Sequence, residues 1–371
     1  MRRLNSVDLL RGAVMIIMAL DHSRDLWSDA HFDPLDLSRT TPALFLTRWI
    51  THFCAPVFVF LAGTSVWLQE SRGKSKRELS RFLVTRGLWL IFLELTWVHI
   101  VWAFDFHWRL QILQIIWVLG VSMIALAALI HLPLWAVATV GVGMCVFHNL
   151  LDGRLPPTWW ATILHIQAPL YSGEDHLIFV IYPLIPWIGV MAAGYAFGRL
   201  LAKRRAIALL GGAMVVAFLV LRSINGYGDP HRWTSQRSGL YTLLSFIDCA
   251  KYPPSLDYLL MTLGPALLLL AAFHRADVGD VHPVVVFGRV PMFYYLLHIP
   301  LLSLSVGVIY YMQYGDRLFD VHDPIDIPPG FGFSLPIVYL AWIGAVAILY
   351  FPCRAWARLK RERRSSWLSY L

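Results

Sequence analysis

Charge is scarce in this chain. Of its 371 residues only 15% are charged and 58% are hydrophobic, and the mean hydropathy is +0.59. That balance excludes an ordinary soluble domain, which needs about a quarter of its residues charged. Cysteine is scarce too: Cys54, Cys145, Cys249 and Cys353 are scattered, and three of them lie in or beside apolar runs. A disulfide framework and a cysteine-based zinc motif are both excluded. Fourteen histidines are present, but no HxxxH or HExxH spacing occurs, so no metal is expected. There is no internal repeat and no low-complexity linker, so residues 1–371 read as a single domain. The net charge of +8 sits in short loops and the tail, which fits a membrane protein and argues against a nucleic-acid partner.

What is abundant is apolar helix. Spans are predicted at about 7–27, 43–68, 82–104, 110–130, 134–150, 177–200, 206–222, 255–273, 284–312 and 334–352. Sixteen Trp and fifteen Tyr suit interfacial belts. The fold class expected is all-α, a polytopic membrane bundle of about ten helices. Seventeen Lys and Arg fall on one set of connecting segments and nine on the other, longer set. The first set is therefore cytoplasmic, with both termini on that side. Met1-Arg2-Arg3 before an apolar run mimics a signal peptide, but the charges that follow and the missing small-x-small site argue against cleavage. The longer outer segments, 28–42, 151–176, 223–254 and 313–333, carry most of the loop Asp and His residues. They read equally as lids or as plain connections.

The first span is the unusual one. Asp8, Arg11, Met15, Met18, His22 and Asp25 recur every three or four residues and share one helical face. A charge at membrane depth costs about 2.5–3.5 kcal/mol or more, so such a face points to a polar interior. His22 lies about 16 Å along the helix from Arg11, and imidazole is the side chain suited to moving protons near neutral pH. Asp21 or Asp25 would orient it. Arg48 and His52 repeat the theme at i and i+4, or pair with loop aspartates. Glu94 stands inside the third span, to be protonated or paired, with Arg11 or Arg289 as partner. Gln111 and Gln114 are expected on one face of the fourth span. Tyr295 and His298 lie at i and i+3 in the ninth.

Val7-Asp-Leu-Leu-Arg-Gly12, with Arg11-x10-His22, resembles the transmembrane acyltransferase superfamily, and that spacing is similar to its acyltransferase-3 branch. Four further stretches, 41–65, Tyr182-Pro-Leu-Ile-Pro-Trp187, Lys251-Tyr-Pro-Pro-Ser-Leu256 and 287–298, look closer to bacterial relatives of heparan-α-glucosaminide N-acetyltransferase. The resemblance implies a multi-pass protein of the bacterial inner membrane that moves an acetyl or other acyl group across the bilayer. Acetyl-CoA would be the co-substrate, with no metal. The acceptor would be the hydroxyl or amine of an outer-side glycan or sugar-lipid. His22 is a candidate base, with Asp21 and Asp25 beside it. The heparan branch instead places its histidine in the outer loop, nearest His31, so both stay open. Arg11, Asp8, Gln114 and Arg289 would hold the donor, and Arg48, His52, Tyr295 and His298 would face the acceptor. Membrane lipids are expected neighbours, and self-association is left open. Buried Asp, Glu and His with kinked helices also suit a proton-coupled transporter.

Overall fold

The computed structural model describes residues 5–103, 105–276, 278–279, 281–315 and 330–363. The outer-loop acids Asp316, Asp320, Asp323 and Asp326 with His322, and the terminal Arg2, Arg3 and Arg364, lie outside the described residues. In chain order, α1 spans Asn5–Trp27, α2 Pro42–Ile50, α3 Cys54–Glu70 and α4 Lys76–Leu93. A π-helical turn at Glu94–Val98 then leads into α5, His99–Ala103. Strand β1 (Leu110–Leu113) precedes α6 (Ile115–Leu129), α7 (Leu134–Phe147) and α8 (Trp159–Leu164). Strands β2 (Ala168–Ser172) and β3 (Leu177–Val180) lead to α9 (Leu184–Phe197), α10 (Arg204–Ile224), α11 (Gly239–Ile247) and α12 (Leu256–Phe273). The last helices are α13 (Pro283–Arg289), α14 (Pro291–Tyr314) and α15 (Leu335–Glu362).

The protein is mostly helical, and seven helices among the described residues are long and apolar enough to cross a membrane. They are Pro42–Glu70, Lys76–Trp102, Leu134–Leu151, Arg204–Ile224, Leu256–Phe273, Pro291–Tyr314 and Leu335–Glu362. Ile115–Leu129 and Leu184–Leu200 are apolar but shorter. Helix α1 is set apart by five charged side chains, Asp8, Arg11, Asp21, Arg24 and Asp25. Three expected spans change shape. The fourth begins as β1, so Gln111 is in a strand and Gln114 is the N-cap of α6, and the two do not share a helical face. The sixth begins as β3, and α9 starts only after Pro183, which denies Tyr182 the helical region. The ninth breaks at Val290 (φ −130°, ψ 48°), held out of the helix by Pro291.

The chain forms two compact units. One comprises Met1–Val7, of which 5–7 are described, with Ala55–Leu95 and Arg109–Ala276. In it α4 packs on α6, α7 on α9 and α10 on α12. Paired glycines set these contacts: a Cβ at Gly87 would sit 2.6 Å from the Gly120 carbonyl oxygen, and one at Gly141 2.9 Å from that of Gly189. Small residues at crossings are how helices gain close packing in lipid. The three strands form one sheet in the order β1-β3-β2, with β1 and β3 parallel and β2 antiparallel to β3. The fully buried Glu94 carboxylate receives the Trp117 amide at 2.8 Å. It thus caps the N-terminus of α6, where the helix dipole favours negative charge. Segment 223–254 is not a slack connection. The buried Arg222 guanidinium donates to the carbonyls of His231, Ser245, Phe246 and Asp248, with Asp229 3.8 Å away.

The other unit contains Asp8–Cys54, Thr96–Trp108 and the described residues beyond Ala276. Here α1 and α13 meet at Gly12 and Gly288. A Cβ on Gly12 would lie 1.7 Å from the Val284 carbonyl oxygen, and one on Gly288 1.8 Å from that of Asp8. Pro300, inside α14, has no N–H for the carbonyl of Leu296. That carbonyl instead accepts the Trp97 indole N–H at 3.1 Å. The Trp342 indole donates to the Ile16 carbonyl at 2.8 Å, tying α15 to α1.

Candidate active site

Helix α1 is unbroken from Asn5 to Trp27, so the face with Asp8, Arg11, Met15, Met18, His22 and Asp25 exists as a physical stripe. Asp8, Met15 and Met18 are buried, His22 is half-buried, and Asp25 is exposed. Every residue expected to act, except Gln114, lies in the unit that contains α1. Gln114 lies in the other, as the cap of α6.

At one end of the stripe the Asp8 carboxylate sits between two guanidinium groups. Arg11 Nη1 is 3.6 Å from Asp8 Oδ1, and Arg289 Nε is 3.6 Å from Oδ2. Arg11 also donates to the Gly288 carbonyl at 3.2 Å. Two guanidinium groups thus meet one carboxylate. The close Gly12–Gly288 crossing brings α13 and its Arg289 to this end of α1.

At the other end His22 meets His298. His22 Nδ1 and His298 Nε2 are 2.5 Å apart, with the rings end to end, their centroids 4.8 Å apart and their planes 21° from parallel. His298 is fully buried, and its Nδ1 faces the carbonyls of Tyr295 at 2.7 Å and Tyr294 at 3.2 Å. Carbonyls only accept, so Nδ1 carries the His298 proton and Nε2 is left as an acceptor. His22 then donates from Nδ1, and its lone pair is on Nε2. The Trp102 ring meets His22 edge-on at 5.0 Å, and its indole N–H is buried with no acceptor among the described residues. The buried Tyr295 ring lies 5.4 Å from that of His298.

Asp21 and Asp25 are engaged with arginines. Arg24 Nη2 lies 2.9 Å from Asp21 and 2.6 Å from Asp25. Arg48 Nη1 contacts both Asp21 oxygens at 2.8 Å. The group therefore pins α2 to α1 beside His22, and the ring contact of His22 comes from α14. His52 is fully buried in the turn that follows α2. His31 is exposed and donates from Nε2 to the Phe331 carbonyl at 2.7 Å. Together with the bridge between Ser28 and Phe333, this fastens the loop after α1 to residues 331–333. Nearby, Asp36 accepts from the Ser38 hydroxyl and amide, which holds its carboxyl below the usual range.

Sequence reasoning missed three things. The His22–His298 bond joins residues 276 apart, and no local pattern signals it. Arg24 was readable as an i+3 partner of Asp21. A third cluster, His148, Asp152 and His165, has donor atoms within 4.8 Å of one another. A search restricted to paired histidines passes over it, although His148 and Asp152 stand at i and i+4.

Among curated proteins no match is found. A family model does match: residues 3–225, more than half of the chain, fit the model described as heparan-alpha-glucosaminide N-acetyltransferase, catalytic. That match, on a helical chain rich in membrane-length segments with a histidine pair and an arginine pair along its first helix, places the protein in the heparan-α-glucosaminide N-acetyltransferase catalytic family of membrane acetyltransferases.

Proposed function

We propose that this protein moves an acetyl group from cytoplasmic acetyl-CoA to a hydroxyl or amine of an outer-side glycan or sugar-lipid, with His22 as general base. The observation that carries the reading is the direction of the hydrogen bonds. His298 Nδ1 is committed to backbone carbonyls and His298 Nε2 receives His22 Nδ1–H, which makes Nε2 the basic nitrogen of a neutral His22. His298 is the positioning residue and His22 the catalytic one. His22 Nε2 takes the proton as the acceptor O or N attacks the thioester carbonyl. The tetrahedral intermediate then expels the CoA thiolate, which recovers the proton from the imidazolium. The buried Trp102 N–H is suited to the oxyanion that develops. Arg11 and Arg289, side by side at Asp8, suit the phosphates of CoA. About 16 Å of helix separates Arg11 from His22, a reach that suits the extended pantetheine arm.

Counting α1 and the two shorter helices, we carry forward ten spans with both termini cytoplasmic, in a bacterial inner membrane. The excess of Lys and Arg on one set of segments supports that orientation. Arg11 is then toward the cytoplasmic donor and His22 toward the acceptor. His31 is the rival base; its Nε2–H is held by the Phe331 carbonyl, which supports a loop-fastening role.

The test is transfer of radiolabelled acetyl from acetyl-CoA to a panel of amino sugars and glycolipids in proteoliposomes. His22→Ala is expected to lower the rate by about 10²–10⁴-fold, and His31→Ala by far less. A His22→Ala protein that retains the parental rate overturns the assignment. Label retained on the protein after acid quench would replace direct transfer by an acetyl-histidine intermediate.

A further inference from the structure

The cluster at the end of α7 stands apart from every residue used above. Helix α7 finishes at Phe147, and the chain makes a 3-10 turn over His148–Leu151. That turn brings His148 and Asp152 to the same side. Helix α8 ends at Leu164, and the amide of His165 returns to the Ala161 carbonyl at 2.7 Å, which directs the third side chain to the same place. All three residues lie in the unit without α1.

The side chains are arranged as ligands rather than as a closed hydrogen-bond network. His148 is 2% exposed; the Pro254 carbonyl is in reach of one ring nitrogen, and the other has no partner among the described residues. His165 is 3% exposed; its Nε2 meets Asp152 Oδ1 at 2.8 Å, and its Nδ1 has no partner. Buried polar atoms are normally satisfied, and here one nitrogen on each of two adjacent rings has no partner among the described residues. A neutral imidazole keeps one lone pair, so each ring brings an acceptor to the same site. The carboxylate is prepared for the same task. Asn149 Nδ2 donates to Asp152 Oδ2 at 2.8 Å, and Asn149 Oδ1 accepts the Leu256 amide at 2.9 Å. Asp152 is thereby oriented from behind, as outer-shell partners orient metal carboxylates.

We propose that His148, Asp152 and His165 bind a divalent zinc ion. The three donor atoms lie within 4.8 Å of one another. Zinc bonds of about 2.0–2.2 Å in tetrahedral geometry require donors roughly 3.3 Å apart, which small ring and carboxylate rotations supply. Two imidazoles and one carboxylate form a borderline donor set that suits zinc, whereas calcium and magnesium need sites built of oxygen. Three protein ligands leave one position for water, and the Asp152 side chain, 22% exposed, gives solvent and ion a way in. The inference does not depend on the acyl-transfer reading, because no residue is shared.

The experiment uses the full chain in detergent micelles, with any affinity tag removed. Protein stripped with EDTA is dialysed against zinc, and bound metal is measured by mass spectrometry; cobalt is then substituted for its visible spectrum. The expected result is one zinc per chain, with affinity weakened at least ~10²-fold by each of His148→Ala, Asp152→Asn and His165→Ala. His22→Ala should keep its full zinc content. The cobalt protein should show the intense absorption of a low-coordinate site, abolished by chelator. That readout needs no variant and decides the matter if the ligand variants fail to fold. Wild-type protein that takes up no zinc after equilibration, or zinc that persists equally in all three variants, overturns the proposal and leaves a His–Asp hydrogen bond beside a buried imidazole.

Discussion

Each unit holds a pair of touching histidines, and the two pairs are wired differently. In His22–His298 the outer ring is donor to the inner one, and the inner ring is anchored on the Tyr294 and Tyr295 carbonyls. The chain of bonds runs one way, from the His22 ring through His298 to the backbone. In His148–His165 the rings meet edge to face at 5.5 Å and do not bond each other. Their anchor is a carboxylate, and one nitrogen on each ring has no partner among the described residues. A directional chain suits moving a single proton, because each bond fixes the next tautomer. Convergent lone pairs suit a cation, which satisfies several acceptors at once. Histidine content alone therefore says little; what the second nitrogen bonds to separates a base from a ligand.

The contrast can be broken experimentally. The largest effect is expected from His22→Ala, with transfer down by about 10²–10⁴-fold and zinc content unchanged. Next comes His298→Ala, which leaves His22 without its acceptor; about 10–10²-fold is expected in kcat, with a displaced pH profile. His298→Gln, whose amide oxygen can accept from His22 Nδ1, should recover part of that loss. A purely packing role for His298 would give neither the displaced profile nor the rescue. Arg11→Ala should raise KM for acetyl-CoA by roughly tenfold, about 1.4 kcal/mol of binding, with kcat less affected; dependence on CoA concentration reads this directly. Removal of zinc from the second cluster should lower the melting temperature by only a few degrees. Saturation at a hundred times Kd adds about 2.7 kcal/mol.

How far the sequence revealed this depends on the distance over which each feature is set. The stripe on α1 was legible, because helical period alone sorts Asp8, Arg11 and His22 onto one face. The split of the ninth span was foreshadowed by Pro291. The small sheet was not: β1 and β3 are four residues each, lie at the mouths of apolar helices and carry the same residues as those helices. The partners of the site were the least legible. His298 reaches His22, and Arg48 reaches Asp21, only through tertiary packing. Asp21 and Asp25 looked like orienters of His22 because they are close in sequence, but a guanidinium at i+3 or i−1 competes better for a carboxylate than a neutral ring does. For Glu94 an arginine seemed the natural neighbour, yet the start of a helix supplies positive character without any cation.

The crossing of α1 and α13 has a mechanical implication. With backbone against backbone at Gly12 and Gly288, the two helices have no side-chain cushion through which to slide or roll. The arginine end of α1 then behaves as a stator, and whatever rocks during a catalytic cycle must be hinged elsewhere. A single methyl at either glycine would act as a wedge, and its damage should register first at the arginine pair, well before the distant histidines lose their alignment.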